Sequence, residues 1–195
     1  SNDEDKDAFT QEQFEKFKSI CNLFTKKLSI SPKRHILNTA GVLRFPDQQQ
    51  EMVRLGIGLY GIAEEENLKL VGTLKSIVAQ IRTLKRGEKV GYNSSFIAKE
   101  KMKIAVIPLG YADGINRKLG DGSGEILINN SSAKIVGKIS MDSFMVDISN
   151  INVKEGDLAT IFGKENSVTV IAKNLDTIPY ETLATLNRRI KRIYQ

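Results

Sequence analysis

Residues 103–120 read KIAVIPLGYADGINRKLG, a stretch that joins an apolar strand to a glycine-containing turn. Ile104, Val106 and Pro108 alternate as in a β-strand. Gly110 and Gly114 then favour a turn, so we expect the phenol of the intervening tyrosine at the rim of a sheet. Buried tyrosines mostly pack and find one hydrogen-bond partner. The pentapeptide GYADG by itself therefore leaves packing and chemistry both open.

Regularly spaced apolar segments surround this stretch and predict a mainly β domain. Turn sequences such as NNSS, KEGD and GKENS separate them, and this spacing is typical of a barrel or sandwich. The first segment shifts its phase partway, which indicates a bulge. Ser167 is then predicted to cap a short helix. The predicted strands cover residues 70–84, 101–109, 125–129, 133–139, 143–148 and 158–162.

The N-terminal part has a different pattern, in which helices and short strands alternate. Thr10 and Gln13 fit a capping box, followed by an apolar stripe at helical spacing that includes Phe14, Phe17, Cys21, Phe24 and Leu28. HILNTAG (35–41) predicts a short strand and a turn, DQQQEMVRLG (47–56) a second helix, and GIGLYGI (56–62) another apolar stretch. This alternation is α/β in style.

The two patterns predict two domains, with residues 1–61 as an α/β piece and residues 62–195 as a β domain. An α/β piece of ~60 residues cannot close a (β/α)8 barrel, which typically takes ~250 residues. The expected fold class is therefore mainly β, with a C-terminal barrel-like domain preceded by the remnant of a (β/α)8 barrel. We expect the rest of that barrel to lie upstream.

Composition excludes several kinds of function. One cysteine and one histidine leave no CxxC or HExxH motif, so no metal site is expected. No apolar run approaches the ~20 residues that span a bilayer, and the acidic start SNDEDK does not resemble a signal peptide, which predicts a cytoplasmic protein without a membrane partner. The net charge of +6 is scattered except at Arg188, Arg189, Lys191 and Arg192. We expect no nucleic-acid partner, and interpret this basic tail as a solvated face or a contact with an acidic partner.

Five motifs occur in an order that resembles one enzyme family. HILNTAG, RLGIGLYG, GYADG, VGKISMD and PYE, read in sequence, resemble alanine racemases, the pyridoxal-phosphate enzymes that interconvert L- and D-alanine and supply D-alanine for bacterial peptidoglycan. The resemblance covers nearly everything from His35 onward. It implies a cofactor-binding (β/α)8 barrel, a C-terminal β domain and a head-to-tail homodimer.

The chain also departs from that family. The lysine that holds the cofactor lies in a family stretch resembling VVKADAYGHG, and nothing like it occurs in these 195 residues. An early arginine that meets the substrate carboxylate likewise has no counterpart. The chain therefore resembles the C-terminal portion of such an enzyme, and we expect it to be inactive alone.

The resemblance implies an acid/base role for Tyr111. Racemisation removes a proton from one face of Cα and returns one to the other, so it needs two acid/base groups. In the family these are the cofactor lysine and the tyrosine of GYADG. A free phenol has a pKa of ~10, so a tyrosine that works near neutral pH needs positive charge or donors nearby.

The other expected site residues also follow from the resemblance. Arg54 would face the pyridine nitrogen and keep it unprotonated, since arginine does not give up its proton, and His35 would steady Arg54. Met141 would offer its backbone amide to the substrate carboxylate, with Asp142 organising it. The expected phosphate ligands are Thr39, Gly56, Ile57 and Tyr180.

Three alternatives stay open at this point. A serine or broad-specificity racemase is the nearest, because much of the substrate pocket would lie upstream. A non-catalytic β domain of a larger protein would explain the strands without the chemistry. A basic domain that binds nucleic acid is the third.

Overall fold

The computed structural model describes residues 7–62 and 68–194. The acidic start at residues 1–6 lies outside the described residues. Contacts within the chain divide it into two units, Ser1–Val71 and Gly72–Gln195. Each unit is built around elements of its own.

The first unit is helical and contains α1 (Asp7–Leu28) and α2 (Thr39–Arg44). Phe14 of α1 is buried and meets Phe45 edge to face, with ring centroids 5.5 Å apart. The Arg44 guanidinium, at the end of α2, pairs with the Asp7 carboxylate at 2.6 Å. These contacts fix the start of α1 against the end of α2.

Several local predictions for this unit are wrong. Thr10 is buried inside α1 and is not its N-cap, because the helix already includes Asp7, whose carboxylate pairs with Arg44. Of the predicted apolar stripe, Phe24 and Leu28 are exposed, because nothing in the described part of this unit covers them. Residues 47–56 form only a 3₁₀ turn, Pro46–Gln48, in place of the predicted helix.

The predicted strand at HILNTAG is extended but is not a regular strand. The Met52 amide donates to the Arg34 carbonyl at 3.1 Å and the Arg54 amide to the Leu37 carbonyl at 2.8 Å. Two spaced hydrogen bonds do not make a continuous ladder. They do align residues 34–37 with residues 52–54. A 3₁₀ turn, Ile57–Tyr60, follows.

The second unit is a curled antiparallel sheet of seven strands, which confirms the predicted mainly β fold. Its strands are β1 (Leu74–Ile77), β2 (Gln80–Leu84), β5 (Met102–Ile107), β6 (Glu125–Ile128), β7 (Ser131–Val136), β8 (Phe144–Asp147) and β9 (Leu158–Phe162). Their order in the sheet is β1-β9-β6-β7-β8-β5-β2. β1 and β2 stand at opposite ends of this order, yet only Val78 and Ala79 separate them in sequence. The sheet therefore curls until its two ends belong to one bent segment.

A short ladder and two helices complete this unit. β3 (Lys89–Val90) pairs with β4 (Phe96–Ile97), and Val90 joins a buried cluster with Leu84 and Ile104. The helices are α3 (Val168–Asn174) and α4 (Pro179–Ala184). Ser167 accepts a hydrogen bond from the Thr169 amide, which confirms the predicted cap of α3.

The core of the second unit consists of alternating side chains from several strands. Phe144 and Val146 of β8 are fully buried, while Met145 and Asp147 between them are partly exposed. Burial of each such side chain stabilises the fold by about 1.5–3 kcal/mol. Other fully buried residues are Ile104, Ile107, Ile126, Ile128 and Ile135.

The register of β5 and β8 determines where the candidate site lies. These strands are antiparallel, and Ile107 stands opposite Phe144. The residues that follow Ile107 and those that precede Phe144 therefore emerge at the same end of the sheet. GYADG follows β5 and Ser140–Ser143 precede β8, so one end carries both motifs.

Candidate functional site

Thr39 lies at the N-terminus of α2 and is the centre of a corner in the first unit. Asn38 caps this helix by accepting a hydrogen bond from the Gly41 amide. The Thr39 hydroxyl is buried and accepts from the Gly56 amide at 3.0 Å and the Gly58 amide at 3.3 Å. Because the oxygen accepts both bonds, its own proton remains available for donation to a ligand.

The Ile57 amide differs from its two neighbours. It belongs to the first residue of a 3₁₀ turn, where amides have no partner within the helix. Among the described residues, this N–H has no acceptor. The Gly56 amide, by contrast, is engaged with Thr39. Of the two amides expected at a phosphate, only that of Ile57 is available.

Arg54 and His35 are adjacent, as the alignment of their two extended segments requires. Arg54 Nη1 lies 3.3 Å from His35 Nδ1. Since a guanidinium has only donors, His35 accepts here, and a neutral His35 ring therefore carries its proton on Nε2. Both side chains are exposed. This ring orients one edge of the guanidinium and leaves other donors for an acceptor outside the chain.

Tyr111 opens a 3₁₀ turn, Tyr111–Asp113, at the end of the sheet in the second unit. Its amide donates to the Ser140 carbonyl at 3.0 Å, and the Ala112 amide donates to the Met141 carbonyl at 3.0 Å. The ring is 43% exposed, which leaves the phenol accessible. The Arg117 guanidinium carbon lies 5.8 Å from the ring centroid, within the range of a cation–π contact.

Gly110 allows this turn to approach the loop before β8. A Cβ at Gly110 would stand 2.2 Å from the Met141 carbonyl oxygen and 2.4 Å from that of Ser140. No side chain can occupy that space without displacing backbone. The glycine before the tyrosine is therefore required by the close contact of two loops.

Met141 has a free amide as well as an exposed side chain. The side chain is 53% exposed, unlike the core methionine that a strand pattern usually indicates. Ser140 and Ser143 bond to each other around it, through the Ser143 amide and both hydroxyls. Within residues 7–62 and 68–194 the Met141 N–H meets no acceptor.

Asp113 and Asp142 share one guanidinium, that of Arg189. Arg189 Nε donates to Asp113 Oδ1 at 2.6 Å, while Nη2 donates to Asp113 Oδ2 at 3.0 Å and to Asp142 Oδ1 at 2.6 Å. The Asp113 carboxylate also accepts from the Gly110 amide at 2.8 Å. Hydrogen bonding to Arg189 lowers the pKa of Asp113 despite its burial, and the same bonds raise the pKa of Arg189.

Tyr180 lies in the first turn of α4, directly after Pro179. Its ring is 42% exposed. The Thr177 hydroxyl donates to the Glu181 carboxylate beside it. The phenol is thus presented on the surface of the second unit.

The donor set suits a phosphate ester better than a metal. No group of three or more histidine, cysteine, aspartate or glutamate side chains comes together within the described ranges. The Thr39 hydroxyl and the free Ile57 amide are neutral donors of the kind that phosphates accept from. The first unit therefore fits one part of a phosphorylated cofactor.

In the described part of the chain, no helix is both long and apolar enough to span a bilayer.

Sequence reasoning named Tyr111, Tyr180 and the amides of Gly56, Ile57 and Met141. It missed the ion pairs that Arg189 makes in the second unit. Thr39, Gly56, Ile57, Arg54 and His35 come together within the first unit. Tyr111, Met141 and Asp142 come together within the second, where Asp113 and Arg189 were not recognised as site residues. The basic tail is also not simply a solvated face, because Arg192 donates to the Leu186, Asn187 and Ile190 carbonyls.

Comparisons with known proteins agree with these motifs. Residues 71–194 match the family model described as alanine racemase, C-terminal domain, and residues 1–64 match alanine racemase, N-terminal domain. Alanine racemase 1 of Oceanobacillus iheyensis is 34% identical over 100% of this chain and 54% of the relative. The chain spans about half the length of the curated relatives it matches.

Solved structures give the same result. An alanine racemase of Clostridium difficile in complex with cycloserine superposes with a TM-score of 0.90 at 32% identity, over 100% of this chain and 54% of the other. One from Bartonella henselae with covalently bound pyridoxal phosphate gives a TM-score of 0.83 at 33% identity, over 95% of this chain and 52% of the other. The expected family and fold class, a β domain with a barrel remnant before it, are confirmed.

Proposed function

Because this chain belongs to the alanine racemase family, we propose that it forms the C-terminal part of a racemase that interconverts L- and D-alanine with pyridoxal 5′-phosphate. We assign residues 1–61 to the end of the cofactor-binding barrel and residues 62–195 to the β domain. The contacts within the chain also divide it into two units, which supports two domains. Their boundary lies between Val71 and Gly72, about ten residues after the one assigned from the sequence.

One observation carries this proposal: the turn with Tyr111 is hydrogen-bonded to the loop with Met141. The two backbone bonds, from Tyr111 to Ser140 and from Ala112 to Met141, hold the turn that carries an accessible phenol against the loop that carries a free amide. A racemase needs an acid/base group close to a hydrogen-bond donor that can hold the substrate carboxylate. A non-catalytic β domain has no need for either group to be exposed.

Tyr111 acts in this proposal as the acid/base group on one face of the substrate. Pyridoxal phosphate, when bound, withdraws electrons from Cα and makes its proton acidic. Tyr111 removes or returns that proton on its own side, and Arg117 keeps positive charge near the ring. The free Met141 amide holds the substrate carboxylate, and Asp142 anchors the loop through Arg189.

The remaining site residues hold the cofactor. The Thr39 hydroxyl and the Ile57 amide would donate to its phosphate, and by the family resemblance Tyr180 would contribute its phenol. Gly56 contributes indirectly, since its amide holds the Thr39 oxygen. Arg54 would meet the pyridine nitrogen of the bound cofactor, and His35 orients Arg54 by accepting from Nη1. A permanently protonated guanidinium leaves that nitrogen without a proton.

The proposed enzyme is a cytoplasmic homodimer that supplies D-alanine for peptidoglycan. Its partners are the substrate and a second copy, with no nucleic acid and no membrane. Part of the basic tail is used within the chain by Arg189 and Arg192, which supports the absence of a nucleic-acid partner. The family's head-to-tail arrangement would bring Tyr111 and Met141 to the other subunit's cofactor.

The test compares the chain alone with the chain restored to a full-length context. Alone, with pyridoxal phosphate and L-alanine, it should form no D-alanine, because the cofactor lysine does not occur in its 195 residues. Fused behind the N-terminal half of the Oceanobacillus relative, it should racemise alanine. L-serine in a parallel assay separates alanine specificity from serine or broad specificity. Turnover by the chain alone, or none by the fusion, would overturn the proposal.

Replacement of Tyr111 by Phe in the fusion tests the assigned role. The ring stays and the ionisable oxygen is lost, so racemisation should fall by ~10²- to 10⁴-fold. Solvent deuterium exchange should persist from the enantiomer whose Cα proton faces the lysine and nearly vanish from the other. Equal loss from both enantiomers, or unchanged racemisation, would make Tyr111 a packing residue.

A further inference from the structure

Arg189 connects three segments that are far apart in sequence. Its guanidinium makes two hydrogen bonds to Asp113 in the turn with Tyr111 and one to Asp142 in the loop with Met141. The residue itself belongs to the segment after α4. One side chain therefore joins the turn, the loop and the C-terminal segment.

The C-terminal segment is held against the turn by backbone as well. The Asn187 amide donates to the Asp113 carbonyl at 3.0 Å. On the other side of the turn, a Cβ at Gly114 would stand 2.5 Å from the Thr185 carbonyl oxygen. Arg192 donates to the Leu186, Asn187 and Ile190 carbonyls and so fixes the segment that carries Arg189.

Burial makes the Asp113 contact specific. The Asp113 side chain is 7% exposed, whereas those of Arg189 and Asp142 are 47% and 64% exposed. A buried carboxylate requires charged partners, and the two-pronged geometry matches a guanidinium better than an ammonium group. Asp113 therefore holds Arg189 in place, and Arg189 reaches from there to Asp142.

We propose that Arg189 is a positioning residue that holds the Tyr111 turn and the Met141 loop in one fixed arrangement. The inference rests on the proposed function, because it gives that arrangement a catalytic purpose. The predicted consequence of losing the guanidinium is a loosened turn on an intact sheet. Tyr111 would then keep its chemistry but lose its fixed position.

Amide hydrogen exchange in the chain as it exists tests this without any activity. In Arg189→Met the amides of Gly110, Tyr111 and Ala112 should exchange about 10- to 100-fold faster, the loss expected for charge-assisted hydrogen bonds. The amides of β6 and β7 should be unchanged. Arg189→Lys should restore only part of the protection. Arg188→Met is the matched control, because Arg188 makes no hydrogen bond or ion pair within the described residues, and it should match the wild type.

Two results would overturn the proposal. One is unchanged exchange of the three turn amides in Arg189→Met. The other is equal acceleration throughout the sheet, which would make Arg189 a general stabiliser of the fold. Neither result depends on whether the fusion racemises alanine, so failure of the proposed function is seen separately.

A second measurement in the active fusion tests the catalytic purpose. Arg189→Met should lower deuterium exchange from the enantiomer served by Tyr111 at least tenfold more than from the other. Arg188→Met should leave both rates unchanged. A symmetric loss in Arg189→Met would contradict a role in positioning Tyr111.

Discussion

Thr39 and Asp113 are buried polar residues that both accept hydrogen bonds from the backbone of candidate site segments. Thr39 accepts from Gly56 and Gly58, and Asp113 accepts from Gly110. Burial is favourable for such groups only when they are paired. Each residue therefore fixes the shape of a segment whose exposed atoms are left for chemistry.

Replacement of Thr39 by Val should destabilise the first unit by about 1–3 kcal/mol, because two amides lose their acceptor. Thr39→Ser keeps the oxygen and removes the methyl group, and should be close to neutral. Chemical denaturation followed by α1 and α2 helicity measures both. A stable Thr39→Val variant would mean that water replaces the hydroxyl at these amides.

We predict that the free energy of unfolding depends on pH through the Asp113 carboxyl group. Its pKa is lowered in the folded state by hydrogen bonding to Arg189, so its contribution is complete above the unfolded pKa of ~3.9 and is lost as the pH falls through the lower folded value. Asp113→Asn should therefore cost about 1–3 kcal/mol at pH 7, and the difference from wild type should shrink below pH ~4. Unfolding curves at several pH values measure this.

Asp142→Asn is the matched control for that titration. Its carboxylate meets the same guanidinium but is 64% exposed, so its removal should cost less than that of Asp113. Equal effects of the two substitutions would mean that burial of Asp113 does not strengthen its pairing.

At the scale of elements, the strands of the second unit were predictable because their side chains alternate and polar turns separate them. The bulge predicted within residues 70–84 corresponds to the shift of register between Leu74 and Lys75 in the pairing of β1 with β9. β3 and β4 are only two residues long, too short for any periodicity. The HILNTAG segment looked like a strand because of its composition. Among the described residues, its backbone makes one hydrogen bond to residues 52–54, at Leu37, and Arg34 just before it makes another.

The candidate site was predictable where a motif presents a single residue, and not where distant residues meet. Tyr111 lies in a recognisable turn, and Met141 in a recognisable loop. Arg189 lies 76 residues after Asp113, in a run of basic residues whose members look alike in sequence. Only the fold distinguishes Arg189 from Arg188.

Gly110→Ala should separate the Tyr111 turn from the Met141 loop. The added Cβ would stand 2.2 Å from the Met141 carbonyl oxygen, so backbone must move and the bonds from Tyr111 and Ala112 must lengthen. We expect a loss of about 1–3 kcal/mol in the free energy of unfolding, with chemical-shift changes centred on both loops.

Gly72→Ala provides the comparison, because a Cβ there would meet no atom within 4 Å and the backbone is not left-handed. It should be neutral or slightly stabilising. If Gly110→Ala behaved in the same way, the close approach of the two loops would not constrain this residue.

At the scale of the whole molecule, the second unit contains every element of its sheet. All seven strands of the sheet, and the helices α3 and α4, lie between Gly72 and Gln195. Residues 72–195 expressed alone should therefore fold, and their amide spectrum should overlay that of the same residues in the full chain. Widespread shift differences in β5 and β8 would contradict this independence.

The bent segment formed by β1 and β2 also sets an order for folding during synthesis. β1 emerges from the ribosome first, yet its partner is β9, the last strand. β2, directly after β1, pairs with β5 much sooner. A partial sheet can therefore form early, while β1 waits with an open edge until Phe162 has been made. Pairing across such a long stretch of chain is slow and leaves that edge open to other chains. The geometry that brings the two ends of the sheet together thus makes the pairing of β1 with β9 the last step in completing the sheet.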